Sequence, residues 1–393
     1  MKVKTRKCGW VGQKKTRQRK YCNRDYDGTL LKDVCIKSCN QCQSIMPMGK
    51  PRLRFKKGSL DNDMKSFKIL QLADLHFGEN AWTDWGPEQD VKSSEAIKSY
   101  LSLERPDLVI LSGDQITALN IDTNATSYYK NIIEVMREID SDIKWATLFG
   151  NHDDESYGRT FDNGKVVQHD AKTTRDDLIR FDIDYNGSYT LQGRAPDSVF
   201  GSSNYLLPIY EENGSSKPLA QIFFFDSGGG SIPQRNKKNQ VKWFQNKMKK
   251  GSTANVPSIA FQHISTSAEA FGYQSGVSCQ GQSYEGVASV KSDAGLFDSI
   301  VDSGEVHFFA VGHNHGNDYC CPHDDSDRDG SSILSICFGR HSGYGGYETF
   351  QENGNLWQKG ARVYLLQIID GMFSWSSYVR NESGEITNEY KPK

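Results

Sequence analysis

The chain lacks any apolar run near the roughly 18 residues needed to cross a membrane, so the sequence predicts no transmembrane segment. It also lacks an excess of basic charge, with 47 Lys and Arg against 49 Asp and Glu, which argues against a nucleic-acid partner. It contains no internal repeat and no Gly-x-Ser-x-Gly elbow, so neither a repeat array nor a serine hydrolase of that type is expected. Its hydrophobic fraction of 36% is nevertheless sufficient for a large core.

The first 52 residues are poor in apolar side chains but hold five of the nine cysteines. They end in the pattern Cys35-x-x-x-Cys39-x-x-Cys42, which resembles the tail of the small ShK-like modules of the sea-anemone-toxin type. A segment with so little apolar surface is expected to depend on disulfides for its fold. We interpret residues 1–45 as a Cys-rich module and residues 46–65 as a linker. A zinc site, with no histidine nearby to help it, and an unstructured basic tail remain the alternatives.

Five short polar motifs each follow an apolar run of the length of a buried strand. The runs are residues 68–73, 108–112, 145–149, 258–261 and 307–311. The motifs are Asp74-Leu75-His76, Gly113-Asp114, Gly150-Asn151-His152-Asp153, Gln262-His263 and Gly312-His313-Asn314-His315. Open α/β sheets bind their ligands beyond the carboxyl ends of the strands, so we expect these motifs to meet in one site.

The side chains of these motifs are of the types that bind Fe, Mn or Zn. Carboxylate oxygens and imidazole nitrogens suit these metals, and no cysteine cluster lies beside the motifs to form a thiolate site. Asp74 and His76 are two residues apart, so their side chains face the same side at a strand end. Asp114 has two carboxylate oxygens, with which a single residue can bridge two ions. Two ions held about 3.5–4 Å apart orient a phosphate and make hydroxide at neutral pH.

The order Asp-x-His, Gly-Asp, Gly-Asn-His-Asp, His and Gly-His-x-His resembles the signature of the calcineurin-like metallophosphoesterase superfamily. Within it, the chain is similar to the purple-acid-phosphatase-related branch of plant and fungal proteins, in segments such as Ile69–Gly78 and Gly312–Cys320. The resemblance implies two divalent or mixed-valence metal ions (Fe, Mn or Zn). The ligands that it implies are Asp74, His76, Asp114, Asn151, His263, His313 and His315. It further implies that Asp114 and His152 are catalytic, with His152 protonating the leaving group or stabilising the transferring phosphoryl.

One residue departs from the pattern of the purple enzymes. They carry a Tyr three residues after the bridging Asp, where it ligates ferric iron and gives the colour, whereas Thr117 holds that position here. We therefore expect no purple colour, and Mn, Zn or Fe(II) fits the sequence as well as ferric iron does. Some relatives of this branch are labelled inactive because of such departures. Since the other ligands and His152 are all present, we expect an active enzyme.

The motifs and the resemblance together predict a four-layer α/β/β/α sandwich for residues 66–393, preceded by the small disulfide-rich segment. The predicted function is that of a metallophosphatase acting on a phosphorylated substrate, in which a metal hydroxide attacks the phosphorus of a monoester in line. A phosphodiesterase and a catalytically silent binding protein on the same fold remain the alternatives.

Apolar residues at helical spacing predict two core-facing helices, at 129–139 and at 238–250. A strand at 332–338 leads into Arg340 and His341. Because Arg can contact phosphate through two hydrogen bonds, we consider both as substrate-binding residues, against an ordinary role at the surface. Residues 155–215 are rich in Gly, Asn, Asp and Ser, and we expect them to form loops over the site.

The signals for the cellular compartment disagree. The cysteines and four glycosylation sequons, at Asn124, Asn186, Asn213 and Asn381, favour a secreted or vacuolar protein. The basic first residues have no apolar h-region of a secretory signal, which favours the cytoplasmic alternative. We favour the secretory route. A disulfide from Cys320 or Cys321 to Cys337 or Cys279 is geometrically reasonable, while a buried free Cys337 is the alternative.

Overall fold

The chain divides into two compact units, Met1–Lys50 and Pro51–Lys393. The computed structural model describes residues 25–26, 29–30, 50–58, 64–121, 125–160, 166–169, 173–192, 199–212, 217–249, 253–273, 278–323, 333–347 and 350–392. In the first unit, two short antiparallel strands are described, Asp25–Tyr26 (β1) and Thr29–Leu30 (β2). The rest of the predicted Cys-rich module lies outside the described residues, and its disulfides stay a prediction.

Strands and helices alternate along much of the second unit. Its strands are Leu53–Arg54 (β3), Lys56–Lys57 (β4), Lys65–Leu72 (β5), Leu108–Ser112 (β6), Trp145–Leu148 (β7), Tyr157–Thr160 (β8), Val166–His169 (β9), Tyr205–Tyr210 (β10), Ala220–Phe224 (β11), Ser258–Phe261 (β12), Val306–Val311 (β13), Cys320–Pro322 (β14), Ser335–Phe338 (β15), Gln351–Glu352 (β16), Asn355–Leu356 (β17), Gly360–Ile369 (β18), Met372–Asn381 (β19) and Ile386–Tyr390 (β20). Its α-helices are Trp85–Glu104 (α1), Ala125–Ile139 (α2), Arg175–Ile183 (α3), Lys238–Lys249 (α4) and Leu296–Ser303 (α5). Among the described helices, none is both long and apolar enough to cross a membrane.

Two mixed sheets of seven described strands each form the centre of this unit. The first sheet has the order β20-β19-β18-β5-β6-β7, with β4 paired to the start of β5. In it β5, β6 and β7 run parallel, whereas β18, β19 and β20 form an antiparallel extension. The second sheet has the order β14-β15-β13-β12-β11-β10-β3, with a parallel centre from β11 to β15. Edge strands β3 and β4 belong to the stretch 46–65 that we interpreted as a linker.

The two sheets pack face to face through aromatic side chains. The ring of Tyr364 in β18 stacks on that of Phe308 in β13, with centroids 4.4 Å apart. Gln71 of β5 donates a hydrogen bond to the carbonyl oxygen of Val311 in the other sheet, at 3.2 Å. Because side chains alternate along a strand, the neighbours Leu70 and Leu72 face the opposite side, where they join the core beneath the helices.

Helices cover the outer face of each sheet. The first apolar core joins α1, α2 and α3 to the first sheet, and the second core joins α4 and α5 to the second sheet. The predicted helices correspond to α2, which buries Tyr129, Ile132 and Met136, and to α4, which buries Val241 and Phe244. The four-layer α/β/β/α sandwich predicted from the sequence is therefore confirmed.

The prediction of loops between residues 155 and 215 was wrong in part. This stretch contains α3 and β10 as well as the β8–β9 hairpin. α3 begins with a capping box, in which the Thr174 side chain accepts from the Asp177 amide and the Asp177 side chain accepts from the Thr174 amide. Leu178 and Ile179 are its buried apolar residues. Two apolar positions among polar residues do not give the helical periodicity from which we predict a helix.

Two buried disulfides lie at the β14 edge of the second sheet. Cys320 bonds to Cys337 between β14 and β15, and Cys321 bonds to Cys279. Adjacent residues on a strand point to opposite faces, so each member of the Cys320–Cys321 pair reaches a different partner. The predicted pairing of these cysteines with Cys337 or Cys279 is confirmed.

Candidate metal centre

Two clusters of carboxylate and imidazole groups lie where the strand-end motifs converge. One cluster contains Asp74, His76 and His315, and in it the possible ligand atoms all lie within 4.8 Å of one another. The other contains Asp114, His263 and His313 within the same distance. The Oδ2 atom of Asp114 is 3.0 Å from His263 Nε2 and 3.8 Å from His76 Nε2, so this carboxylate lies between the clusters.

Backbone conformation is unusual at four of these six residues. Asp74, His76, Asp114 and His313 have φ values of 58°, 50°, 52° and 71°, in the left-handed region that non-glycine residues rarely adopt. Each such residue costs roughly 1–3 kcal/mol and persists only where the surrounding structure imposes it. Here backbone hydrogen bonds continue the pairing of β5 and β6 into their loops, from Asp74 N to the Gly113 oxygen and from His76 N to the Asp114 oxygen.

The glycine of the Gly-Asp motif is required by close packing. Gly113 has φ near 105°, and a Cβ at this position would lie 2.2 Å from Nδ1 of His263. Gly150 is in a similar position, since its Cβ would lie 2.2 Å from Oδ1 of Asp114. The two glycines therefore let the loops that carry the candidate ligands approach one another.

In the first cluster, the tautomer of His315 directs a lone pair inward. Its Nδ1 lies 3.1 Å from the carbonyl oxygen of Tyr347, which can only accept, so Nδ1 carries a proton and, in the neutral imidazole, Nε2 carries the lone pair. Nε2 then faces His76 Nε2 at 3.2 Å and the Asp74 carboxylate at 3.6 Å. Such a convergence of acceptors is satisfied by a cation, as expected of a metal site.

The second cluster contains two buried polar atoms that lack hydrogen-bond partners. His263 donates from Nδ1 to the Ser112 carbonyl oxygen at 3.0 Å, and its Nε2 lies near Asp114 without the geometry of a hydrogen bond. The side-chain oxygen of Asn151 is also buried and unpartnered. Burial opposes the charged form of His263, but Asp114 and Asp74 outweigh it and raise the pKa of this imidazole to about 9. The Nε2 position therefore attracts a proton or a metal ion, and these residues fit a metal centre.

Asp153 joins the two loops of the second cluster. Its buried carboxylate accepts from the amides of Gly150, Asp114 and Gln115, at 2.7, 3.0 and 2.9 Å, and from a fourth amide at Ile116. Burial and the nearby Asp114 carboxylate raise the pKa of Asp153 to about 7. Asp153, the last residue of the Gly-Asn-His-Asp motif, therefore fixes the backbone of these two loops through hydrogen bonds to their amides.

Arg175 is a second support, and we did not predict it from the sequence. It is buried at the start of α3 and donates to the carbonyl oxygens of Gly150 and Gly229, at 2.6 and 2.7 Å. Asp154 and Asp226 accept its other hydrogen bonds, at 3.1 and 2.8 Å. A side chain at Gly229 would clash with Asn151, since its Cβ would lie 2.4 Å from that of Asn151. Arg175 therefore fastens the loops on both sides of Asn151.

His152 lies beside the clusters and is held by a carboxylate that we also did not predict. Its backbone amide donates to Oδ1 of Asp114 at 2.8 Å, and its Nδ1 lies 2.5 Å from Oε2 of Glu155. The ring is about one-third exposed, 5.0 Å from the ring of His76. Burial works against its charged form, but Asp114 and Glu155 dominate and raise the pKa of His152 to about 10.

His341 lies close to the first cluster, whereas Arg340 is turned into the protein. The ring of His341 packs 3.9 Å from that of His315, while its nitrogens bond the Gly345 oxygen and the Lys359 ammonium, both at 3.0 Å. All three guanidinium nitrogens of Arg340 donate to Asp318 or to the carbonyl oxygen of Gln358. The hydrogen-bonding groups of these two side chains are thus engaged within the protein.

A family model described as Calcineurin-like phosphoesterase matches residues 67–317 of this chain. This range contains every residue of the two clusters and also Asn151 and His152.

Several named proteins are similar to the chain over most of its length. "Probable inactive purple acid phosphatase 29" of Arabidopsis thaliana is 27% identical over 86% of this chain and 85% of its own. "Phosphatase DCR2" of Saccharomyces cerevisiae is 29% identical over 71% of this chain and 48% of its own. Among solved structures, purple acid phosphatase PPD1 from yellow lupin seeds aligns with a TM-score of 0.48 and 11% identity, over 83% of this chain and 53% of that one.

Proposed function

The chain belongs to the calcineurin-like phosphoesterase family, and from this premise we propose that it hydrolyses phosphoric monoesters at a centre of two metal ions. In this proposal Asp74, His76 and His315 hold one ion. Asp114 is shared, and Asn151, His263 and His313 hold the other. When bound, two such ions supply Lewis-acid chemistry and a nucleophile derived from water. Fe, Mn and Zn all suit this set of oxygen and nitrogen ligands.

The observation that carries the proposal is the convergence of imidazole nitrogens and an amide oxygen on two buried carboxylates. Nε2 of His315, Nε2 of His263 and the Asn151 oxygen meet around two carboxylates, in a setting where unpartnered polar atoms are rare. Four left-handed residues at the same loops each add a conformational cost of roughly 1–3 kcal/mol, which the surrounding structure must offset.

His152 is assigned the proton chemistry of the reaction. Glu155 engages Nδ1, so the proton that His152 can deliver to a leaving-group oxygen or to a phosphoryl oxygen is the one on Nε2. In the metal-free protein, Asp114 and Glu155 raise the pKa of His152 to about 10, which favours the protonated form that an acid requires. We assign His341 and Arg340 to support of the site, because protein groups already occupy their donors and acceptors.

A phosphodiesterase and a silent binding protein are the competing functions. The same centre serves the diester reaction. Thr117, together with the word "inactive" in the names of three similar proteins, favours considering the silent protein. The metal-reconstituted protein should therefore be assayed on an aryl phosphate and on its diester. We expect Asp114→Ala and His152→Ala to lower kcat/KM for the monoester at least about a hundredfold.

Asp142→Ala, at an exposed turn before β7, is the matched control and should retain full activity. Equal rates for wild type and both site variants would refute the assignment. Preference for the diester would establish the phosphodiesterase, and no turnover with two metal ions bound would establish the silent protein.

For the compartment, we propose a secreted or vacuolar protein. Two buried disulfides in the catalytic unit support an oxidising location. Thiol titration of the unfolded, unreduced protein should then find at most five of its nine cysteines free, since the two bridges occupy four. Nine free thiols would favour the cytoplasmic alternative.

A further inference from the structure

Thr117 contacts a candidate metal ligand although it is not itself one. It is buried, and its Oγ1 lies 3.0 Å from Nδ1 of His76. The same hydroxyl donates to Oε2 of Glu79 at 2.6 Å. Residue 117 is the position at which the purple enzymes carry their iron-ligating Tyr.

The direction of these two hydrogen bonds follows from the number of protons available. A threonine hydroxyl has a single hydrogen, and here Glu79 accepts it. The Thr117 oxygen must therefore accept from His76, which places the proton of that imidazole on Nδ1. Nε2 is left with its lone pair toward His315 Nε2 and Asp114 Oδ2, at 3.2 and 3.8 Å.

The backbone holds Thr117 in register with His76. The amide of Thr117 donates to the Phe77 oxygen at 3.0 Å, and the amide of Phe77 donates to the Gln115 oxygen at the same distance. The two loops thus continue as a parallel ladder beyond β5 and β6. Glu79 follows His76 by three residues, in the turn that precedes α1, with its side chain about one-quarter exposed.

We propose that Glu79 and Thr117 form a relay that positions His76 as a ligand of the first metal ion. The relay selects the tautomer whose Nε2 coordinates, and the terminal carboxylate makes that nitrogen a stronger donor. Residue 117 thereby acts on the metal through His76 instead of through a phenolate. The inference rests on the proposed function, because it requires the metal centre to exist.

The test compares Thr117→Val, Thr117→Ser and Glu79→Gln in titrations of the metal-free protein with Co²⁺, followed by visible absorption and by competition with a chelator. Valine has the size of threonine without the hydroxyl, and we expect it to weaken one of two Co²⁺ sites about 10- to 100-fold. Serine keeps the hydroxyl and should restore affinity to near that of the wild type. Glu79→Gln retains an acceptor without the charge and should give an intermediate loss.

Thr147→Val is the matched control. Thr147 is likewise buried with a bonded hydroxyl, 2.7 Å from that of Tyr129, but it has no contact with His76. This variant should lower stability to unfolding while leaving both Co²⁺ affinities unchanged. In the wild-type protein, ring-nitrogen NMR should report the proton of His76 on Nδ1.

The outcomes separate the two claims. A wild-type protein that binds no Co²⁺ would overturn the metal centre and the relay with it. A wild type with two Co²⁺ sites, and Thr117→Val with affinities within about twofold of it, would overturn the relay alone. Equal weakening by Thr117→Val and Thr117→Ser would also overturn it, because the hydroxyl would then be irrelevant.

Discussion

The two clusters of the candidate centre are supported in different ways. In the first, the imidazole rings themselves donate to protein oxygens, His315 to the Tyr347 carbonyl oxygen and His76 to the Thr117 hydroxyl oxygen. In the second, His263 likewise donates to the Ser112 carbonyl oxygen, but the buried side chains of Asp153 and Arg175 also hold the backbone of the loops that carry the candidate ligands. A substitution at Thr117 should alter the single imidazole that it contacts. A substitution at Asp153 or Arg175 should move whole loops and lower the stability of the fold.

The largest effect, on the free energy of unfolding, is expected from loss of the buried Arg175. Arg175→Met would leave the carboxylates of Asp154 and Asp226 buried without their cation, which typically costs about 3–5 kcal/mol. The free energy of unfolding, measured with urea, should fall by this amount. Arg180→Met removes an exposed arginine of the same helix, paired with Asp177, and should change stability by less than about 0.5 kcal/mol. Equal losses in the two variants would contradict the loop-fastening role of Arg175.

A smaller, purely kinetic effect is expected at Glu155. Glu155→Gln should leave stability and Co²⁺ binding unchanged but lower kcat about tenfold for an alkyl phosphate, because His152 loses the partner that orients it. The loss should be smaller for a nitrophenyl phosphate, whose leaving group needs little protonation. Glu138→Gln, at an exposed ion pair of α2, is the control. Equal losses on both substrates would argue against proton donation by His152.

The smallest effect concerns pH in the second cluster. His263 has a pKa raised to about 9 in the metal-free protein and must lose its proton to bind a metal through Nε2. At pH 7.5, calorimetry in buffers of different ionisation enthalpy should therefore detect proton release on Co²⁺ binding. The apparent affinity of one site should rise with pH up to about pH 9 and then level. Binding without proton release would contradict a ligand role for His263.

The positions of the candidate ligands at one site were predictable from the sequence because each motif follows closely on a strand. The apolar run before Asp74 becomes β5, and the run before His313 becomes β13, so the chain itself carries each motif to a strand end. Both residues then meet, with the His313 amide 3.1 Å from the Asp74 carboxylate. Local sequence was sufficient to place the strands and the motifs that follow them, because both are properties of neighbouring residues, while the resemblance to the family supplied the candidate ligand roles.

The supports were not predictable, because they come from distant and unremarkable sequence. Arg175 lies in a polar stretch that we expected to form loops, and its partner Asp226 is 51 residues away. Glu79 and Thr117 are separated by 38 residues. Thr117 stood out only as the residue at the position of the Tyr, and nothing in the local sequence indicated its contact with Glu79. Arg340, whose type suggested a phosphate contact, instead pairs with the buried Asp318. The antiparallel strands β18 to β20, which complete the first sheet, also had no counterpart in our prediction.

By itself, the sequence determined the layered fold, the identity of the candidate ligands and the candidates for disulfide pairing. The fold and the ligand set follow from the motifs at the strand ends together with the family resemblance that those motifs carry. Only the tertiary structure decided which nitrogen of each imidazole faces inward, because that depends on the acceptor opposite the other nitrogen. It also decided that Cys320 bonds Cys337 while Cys321 bonds Cys279, because the choice depends on which face of β14 each residue occupies. The imidazole orientations and the disulfide pairing depend on contacts between residues far apart in the chain, which the local sequence does not specify.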